Sequence, residues 1–257
     1  MKNPTAKTSI ILSLLLAACS QPQEHHNSDA LVSATLWLQQ AQEAKLLQEQ
    51  AYQFASAKLY RNLEDYARMI DSTGETFRPA IVVDIDETVL DNSPYQARII
   101  KDGQDFSSES WSAWVREGKA ELIPGAKDFL VNADFLNLRI FYISNRSVEN
   151  LGPTLANLVA RGLPQADSSS VLLKSDDSDK TARRSAVQEN FDIILLVGDQ
   201  MGDFAQEVDE SMKDALDRYF VVMPNPMYGA FNETTEENET QYGSKLSALK
   251  ARLKDLR

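Results

Sequence analysis

The sequence predicts an α/β fold in which helices flank a parallel β-sheet. Short apolar, β-branched segments alternate along the chain with segments of helical periodicity, which is typical of parallel sheets. Several of the apolar segments end abruptly in acidic or polar residues, at the strand ends where open α/β sheets bind their ligands. The segments that we interpret as strands are residues 81–83, 139–143, 171–173, 191–197 and 219–223.

The first predicted strand ends in two aspartates with one residue between them. Asp84 and Asp86 repel each other unless a cation or a shared proton offsets their charges. The pair therefore indicates a divalent metal, an acid/base role, or both. Taken alone, it is equally compatible with a strand end whose acids are merely solvated.

Other predicted strands also end in polar side chains. Ser144, Asn145 and Arg146 follow the second strand, Lys180 lies in the loop after the third, and Asp199 and Asp203 follow the fourth. We expect these groups to meet at one edge of the sheet. Three carboxylates near one point suit a hard cation with oxygen ligands, most simply Mg²⁺.

The same set of side chains suits phosphoryl transfer, in which cations and hydrogen bonds stabilise the charge on the equatorial oxygens. The single cysteine and both histidines, His25 and His26, lie before the predicted folded region. A carboxylate is therefore the economical nucleophile, through an aspartyl-phosphate intermediate.

A helical segment precedes the first predicted strand, and an aromatic segment follows it. Residues 29–72 have apolar positions at helical spacing and predict one or two long amphipathic helices packed beside the core, which begins at about residue 78. Residues 92–122 contain an aromatic, polar segment between the first strand and the next helix, and predict a small cap. After a polar stretch at 232–241, a closing helix is expected from about residue 244.

The N-terminus has the pattern of an export signal. Residues 1–7 are positive, residues 10–16 form an apolar core too short to span a bilayer, and small residues precede Cys19. Residues 1–18 resemble a bacterial lipoprotein signal peptide, with Cys19 as the lipidated residue and 19–28 as a tether; an ordinary secretory signal is the alternative. Because Ser20 and not aspartate follows the cysteine, the resemblance implies a Gram-negative outer membrane.

The net charge and the cysteine content argue against nucleic-acid binding and against an intrachain disulfide. The net charge of −12 argues against non-specific binding of a nucleic-acid polymer, which requires a basic surface. A single cysteine allows no intrachain disulfide.

Together the motifs resemble the haloacid-dehalogenase-like (HAD) phosphatases, and more closely the class C acid phosphatases of the bacterial lipoprotein e type. The resemblance is carried by four segments in the right order, at residues 85–95, 142–146, 197–204 and 224–229, with Lys180 between the second and third. It implies a HAD-like acid phosphatase domain over residues 29–257, with a Rossmann-like core from residue 78, a small, mainly helical cap and an N-terminal helical segment.

The resemblance also implies roles for individual residues. Asp84 would be the nucleophile and Asp86 the acid/base. Mg²⁺ would be held by Asp84, Asp199 and the backbone carbonyl of Asp86, with Asp203 supporting the metal. Ser144 and Lys180 would bind the phosphoryl oxygens.

Roles in substrate binding are also implied for four more residues. Asn145 and Arg146 match the strand end of the family, and Trp111 and Tyr228 match positions at which an aromatic leaving group stacks, although core packing explains these two rings equally well.

The implied activity is that of an Mg²⁺-dependent phosphomonoesterase acting on nucleoside 5′-monophosphates and aryl phosphates. Phosphotransfer to an alcohol and a surface lipoprotein with a binding role are the alternatives, because a fold does not fix a function. The expected membrane contact is the N-terminal lipid anchor, and the resemblance leaves open whether the protein is a homodimer.

Overall fold

A five-stranded parallel sheet lies at the centre of the molecule. The computed structural model describes residues 27–74, 76–242 and 244–254. The strands are β1 (Pro79–Val83), β2 (Leu90–Asp91), β3 (Glu121–Leu122), β4 (Arg139–Ser147), β5 (Val171–Lys174), β6 (Asp192–Gly198) and β7 (Phe220–Val222). The sheet order is β5-β4-β1-β6-β7, and each neighbouring pair is parallel. The central position of β1 places its carboxyl end in the middle of one sheet edge.

Helices surround this sheet and follow its strands. They are α1 (Val32–Gln40), α2 (Gln42–Thr73), α3 (Ser93–Lys101), α4 (Ser108–Glu117), α5 (Ala126–Phe135), α6 (Leu151–Ala160), α7 (Thr181–Gln188), α8 (Lys213–Tyr219), α9 (Glu236–Tyr242) and α10 (Lys245–Ala251). Five short 3₁₀ helices lie at Asn27–Leu31, Val148–Asn150, Met201–Asp203, Glu210–Met212 and Ala230–Asn232 among the described residues.

Both faces of the sheet are covered, as the continuous apolar strands predict. Ile81 and Val83 of β1 point to a face that packs against buried residues of α2, α5 and α6. Val82, one residue out of phase, points to the opposite face and packs with Val187 of α7 and Phe220 of β7. The predicted α/β fold with a flanked parallel sheet is confirmed.

The segment between β1 and α5 forms the small cap. Its two helices, α3 and α4, lie between β2 and β3, which pair in antiparallel register. The backbone N–H of Ile123 donates to the carbonyl of Val89 at 2.9 Å and ties the end of the cap to its beginning. The cap leaves and re-enters the core beside the carboxyl end of β1, where Asp84 and Asp86 lie.

The structure differs from the sequence-based expectation at several boundaries. The polar stretch at 232–241 contains α9, and α8 was not predicted, because short charged helices lack an apolar stripe. Residues 27–28 of the expected tether belong to the first 3₁₀ helix.

The N-terminal helical segment contains two helices, α1 and α2, in agreement with the prediction of one or two helices. Residues 1–18 and Cys19, on which the signal-peptide and lipidation predictions depend, lie outside the described residues. Within the described part, none of the helices combines the length and apolar character that crossing a bilayer requires.

Candidate active site

The strand ends that carry polar side chains meet at the carboxyl edge of the sheet. Asp84 follows β1, Asp199 follows β6, and Asp203 lies in the 3₁₀ turn after it. Lys180 immediately precedes α7, and Ser144 lies within the last part of β4. The backbone N–H of Asp84 donates to the carbonyl of Val197 at 2.9 Å, so the ladder between β1 and β6 continues to the edge of the site.

Asp84, Asp199 and Asp203 form an acidic cluster. Each offers a carboxylate oxygen, and these oxygens lie within 4.8 Å of one another. Lys180, only 6% exposed, donates from Nζ to Oδ1 of Asp84 and, at 2.5 Å, to Oδ1 of Asp203. One ammonium cannot neutralise three carboxylates, and two negative charges remain when all three are ionised. A divalent cation bound by carboxylate oxygens matches this deficit.

Burial and mutual repulsion perturb the acid cluster. Burial raises the pKa of Asp84 well above its usual range; Lys180 opposes that shift, and Asp203 and Asp199 add to it. Burial, reinforced by the charge of Asp203, raises the pKa of Asp199 to about 6. Burial alone would lower the pKa of Lys180, but the charges of Asp84 and Asp203 outweigh it and raise the pKa. Lys180 therefore stays charged.

A glycine allows Asp203 to approach the end of β6. A Cβ atom on Gly198 would lie 2.3 Å from Oδ2 of Asp203, far inside van der Waals contact. The same oxygen accepts the backbone N–H of Gln200 at 2.9 Å. The close packing at Gly198 thus holds Asp203 in the turn that brings it to Lys180.

Asp86 points away from the acid cluster into a set of hydrogen-bond donors. Arg146 donates to its carboxylate from Nη2 at 2.7 Å and from Nε at 3.0 and 3.1 Å. Asn92 donates from Nδ2 to Oδ1 at 2.8 Å, and Ser144 donates from Oγ to Oδ2 at 3.2 Å. The side chain of Asp86 is still 16% exposed, so a small molecule can reach it.

Arg146 is the largest fully buried side chain of the described residues and is fixed from several sides. Its side chain is 1% exposed, and its Nη1 lies 3.3 Å from Oγ1 of Thr154. Its guanidinium carbon lies 5.8 Å from the ring centroid of Trp111 in the cap. Arg146 therefore connects Asp86 to α4.

A second arginine, Arg183, lies at the rim of the site. It donates at 2.7 Å to the carbonyl of Ser144 and, also at 2.7 Å, to Oδ1 of the exposed Asn145. Burial lowers the pKa of Arg183, and the charge of Asp84 offsets part of this shift. The arginine provides positive potential beside the acid cluster and holds the end of β4.

The two aromatic residues predicted to contact a leaving group lie in different surroundings. Trp111 is half-buried in the cap, with ring centroids 5.1 Å from Tyr95 and 6.4 Å from the exposed Phe106. Tyr228 packs against the cluster formed by α1, the start of α2 and Met227. Its carbonyl accepts Nε2 of Gln200 at 3.0 Å.

Several residues that hold the acids were not among the sequence-based candidates. Asn225 and Gln200 donate to Oδ2 of Asp199 at 2.7 and 2.8 Å, and Asn92 contacts Asp86. Glu87, at φ 56°, is buried and accepts the backbone N–H of Asn92 at 2.9 Å. Only the segments at 85–95, 197–204 and 224–229, in which these residues stand, had been singled out by their resemblance.

Comparison with known proteins agrees with this geometry. A sequence profile of the HAD superfamily, subfamily IIIB (acid phosphatase), matches residues 6–231. A class C acid phosphatase from Bacillus anthracis with tungstate bound is 32% identical, and the alignment covers 90% of this chain and 99% of that chain with a TM-score of 0.75. A second structure of that phosphatase is 33% identical, with the same coverage and TM-score.

Curated plant proteins are more distantly similar. Acid phosphatase 1 from Solanum lycopersicum is 28% identical over 172 residues, which are 64% of this chain and 64% of that protein. The stem 28 kDa glycoprotein from Glycine max is 26% identical over 170 residues, covering 63% of this chain and 60% of that protein. The matched part of the chain thus spans slightly less than two thirds of these plant relatives.

The parallel sheet with its acid cluster and cap defines a HAD-like protein. Within that superfamily, the chain belongs to subfamily IIIB, the acid phosphatases.

Proposed function

We propose that this protein is an Mg²⁺-dependent acid phosphatase that hydrolyses phosphomonoesters through an aspartyl-phosphate on Asp84. The proposal rests on one observation: two carboxylates only two residues apart in the sequence lie in different surroundings. Asp84 lies in the acid cluster with Lys180, whereas Asp86 is surrounded by hydrogen-bond donors. A nucleophile and an acid/base group need such separate environments.

The donor set fits a hard divalent cation. Asp84, Asp199 and Asp203 are the carboxylates of the cluster, and their charge exceeds that of Lys180 by two. Asp84, Asp199 and the backbone carbonyl of Asp86 would hold Mg²⁺, with Asp203 in support. When bound, Mg²⁺ supplies positive charge that offsets the negative charge of the phosphoryl oxygens.

Asp84 performs the first half of the reaction. One of its oxygens attacks the phosphorus, a phosphorus–oxygen bond forms to Asp84, and the bond to the leaving group breaks. Lys180 and the hydroxyl of Ser144 bind phosphoryl oxygens, and Asn145 and Arg146 belong to the same strand end. Lys180, held between two carboxylates, needs no reorganisation to stabilise the transferring group.

Asp86 handles the protons. It donates a proton to the leaving oxygen, then takes one from the water that attacks the phosphorus and releases phosphate from Asp84. Oδ1 of Asp86 accepts from Asn92 and twice from Arg146, whereas Oδ2 accepts only from Ser144 and one arginine nitrogen. Oδ2 is therefore the oxygen with room for the proton, and the hydroxyl of Ser144 can rotate to accept from it.

The substrates proposed are nucleoside 5′-monophosphates and aryl phosphates. The aromatic cap around Trp111 offers a half-exposed ring surface next to Arg146, on which a base or aryl ring can stack. Tyr228, whose carbonyl accepts a hydrogen bond from Gln200 beside Asp199, is the second aromatic residue proposed to contact this group. The tungstate in the Bacillus anthracis phosphatase supports an oxyanion site, because tungstate is a tetrahedral oxyanion like phosphate.

The N-terminal sequence pattern supports a proposal for the cellular location. We propose that Cys19 carries the lipid and anchors the protein in the outer membrane, because the residues before Cys19 have the charge, apolar core and small-residue box of a lipoprotein signal. Metabolic labelling with a palmitate analogue tests this, and loss of label in Cys19→Ser is the expected result. Persistent label in that variant would refute it.

Hydrolysis of p-nitrophenyl phosphate and of a nucleoside 5′-monophosphate by the purified protein tests the activity. We expect turnover at acidic pH, loss of activity with EDTA, and recovery with Mg²⁺. Indifference to the chelator would refute the metal site, and failure to hydrolyse either ester would favour a binding role. Addition of an acceptor alcohol separates phosphotransfer from hydrolysis, because transfer yields a new phosphate ester.

A further inference from the structure

We propose that Asn92 is a positioning residue that orients the carboxylate of Asp86 toward the leaving group and links it to the cap helix α4 through Trp114. The inference rests on the proposed phosphatase function and deepens it. It assigns part of the proton-transfer geometry to a buried amide at the first turn of the cap, a residue of the first motif segment to which the resemblance gives no role.

The amide of Asn92 has only one orientation that satisfies its neighbours. Its Oδ1 accepts Nε1–H of Trp114 at 2.8 Å, and its Nδ2 donates to Oδ1 of Asp86 at 2.8 Å. An indole N–H can only donate, so it requires the oxygen of the amide, and the nitrogen must face the carboxylate. Trp114 thus determines that Asn92 presents a donor to Asp86.

The backbone holds Asn92 equally firmly. Asn92 is 0% exposed, and its N–H donates to Oε1 of the buried Glu87 at 2.9 Å. Glu87 has a left-handed backbone conformation, which is strained for a residue with a side chain and indicates a turn fixed by its surroundings. This turn returns the chain to Asp86, where Leu90 forms a bridge with it.

The helix α4 contacts the proton-transfer group along a second route. Trp111 and Trp114 are three residues apart and lie on one side of the helix. Trp114 contacts Asp86 through Asn92, and Trp111 contacts it through the guanidinium of Arg146. The cap helix α4 therefore contacts two of the three residues that donate to Asp86, and leaving-group binding and proton transfer share one helix.

A residue that orients only Asp86 affects substrates unequally. A leaving group that is stable as an anion needs little help from a proton donor, whereas a poor leaving group depends on it. A series of substituted phenyl phosphates varies the basicity of the leaving oxygen and keeps the aromatic ring. The measurement is kcat/KM for each ester, which reports the steps up to cleavage of the ester bond.

For Asn92→Ala we expect kcat/KM to fall by less than about threefold with p-nitrophenyl phosphate and by about thirtyfold with unsubstituted phenyl phosphate, a fraction of the range of general acid catalysis. Trp114→Phe keeps an aromatic side chain, although a smaller one, and removes the N–H, and we expect the same selective loss at a smaller size. An equal loss across the series, or no loss, would overturn the inference.

A matched control is available at Asn157. This asparagine is also buried, at 2% exposed, and donates from Nδ2 to the carbonyl of Ala120 at the other end of the cap, at 3.0 Å. Asn157→Ala removes a buried amide of the same size without contacting Asp86, and the dependence on leaving group should stay as in the unmodified protein. A selective loss in this control as well would assign the effect to general loosening of the cap and overturn the inference.

Three further outcomes decide the test. If Asn92→Ala does not fold, Trp114→Phe carries the test, because it removes the N–H that orients Asn92 and leaves Asn92 itself in place. If the unmodified protein hydrolyses none of the phenyl phosphates, the proposed function fails. If it hydrolyses them and the variants lose activity uniformly, only the role of Asn92 fails.

Discussion

Asp84 and Asp86 are two residues apart at the end of β1, yet they lie in opposite electrostatic surroundings. Asp84 faces Lys180 and two further carboxylates, a region with an excess of negative charge. Asp86 faces Arg146, Asn92 and Ser144, which all donate hydrogen bonds to it. Two chemically identical side chains therefore acquire different roles from their neighbours, and the predictions below perturb one region while leaving the other in place.

The largest effect is expected from Asp84→Asn. The amide cannot attack phosphorus, so kcat should fall by at least about 10³-fold, a loss of the size that follows removal of a nucleophile. Because burial already raises the pKa of Asp84, its neutral replacement should not destabilise the fold. Steady-state kinetics and thermal unfolding measure the two effects. Asp128→Asn, on the exposed face of α5, is the matched control. Near-normal turnover by Asp84→Asn would show that Asp84 is not the nucleophile.

Asp199→Asn tests the metal side of the comparison separately. Removing one of the three carboxylates should raise the Mg²⁺ concentration needed for half-maximal activity by about tenfold or more, as losses at metal sites typically do. Excess Mg²⁺ should restore part of the activity, unlike in Asp84→Asn. Isothermal titration of the metal-free protein with Mg²⁺ gives the affinity directly. An unchanged affinity would show that Asp199 is not a ligand.

The pH dependence of stability should invert when the metal is bound. In the folded, metal-free protein the pKa of Asp199 is about 6, above its ordinary value, so the folded state binds more protons than the unfolded state at pH 5. Stability should therefore rise by about 1 kcal/mol from pH 7 to pH 5 without metal.

With saturating Mg²⁺ the protein should instead be more stable at pH 7, because protons compete with the metal for the carboxylate. Thermal unfolding at both pH values, with EDTA or with Mg²⁺, measures all four states. The same trend in both series would mean that the carboxylates do not bind the metal.

The last prediction concerns the cap. Trp111→Ala removes the ring on which an aryl group or base can stack, and we expect KM for a nucleoside 5′-monophosphate to rise by about tenfold, within the range of base–aromatic stacking. KM for a small alkyl phosphate should change little. A similar rise for both substrates would indicate that Trp111 only packs the cap.

The fold and the acid cluster were predictable from local sequence patterns. A β-branched strand such as β1, followed directly by Asp84, marks both the sheet and the edge at which ligands bind. Lys180 and Asp199 were predictable as partners because parallel strands deliver their carboxyl ends to one edge.

The surroundings of Asp86 were not predictable in the same way. The bond from Trp114 to Asn92 joins residues 22 positions apart across the cap, and Arg146 reaches Asp86 from another strand. Such contacts depend on how the cap helix and the neighbouring strand are packed around Asp86. Short charged elements such as α8 were missed because their placement comes from tertiary contacts and not from periodicity.

The central claim is that Asp84, and not its neighbour Asp86, carries the phosphoryl group. Rapid acid quenching during turnover, followed by peptide mass spectrometry, locates a covalent phosphoryl group directly. We predict that it lies on Asp84 and is absent from Asp84→Asn. A phosphoryl group on Asp86 or on another residue, or turnover at full rate with no phosphorylated peptide at any quench time, would contradict the account.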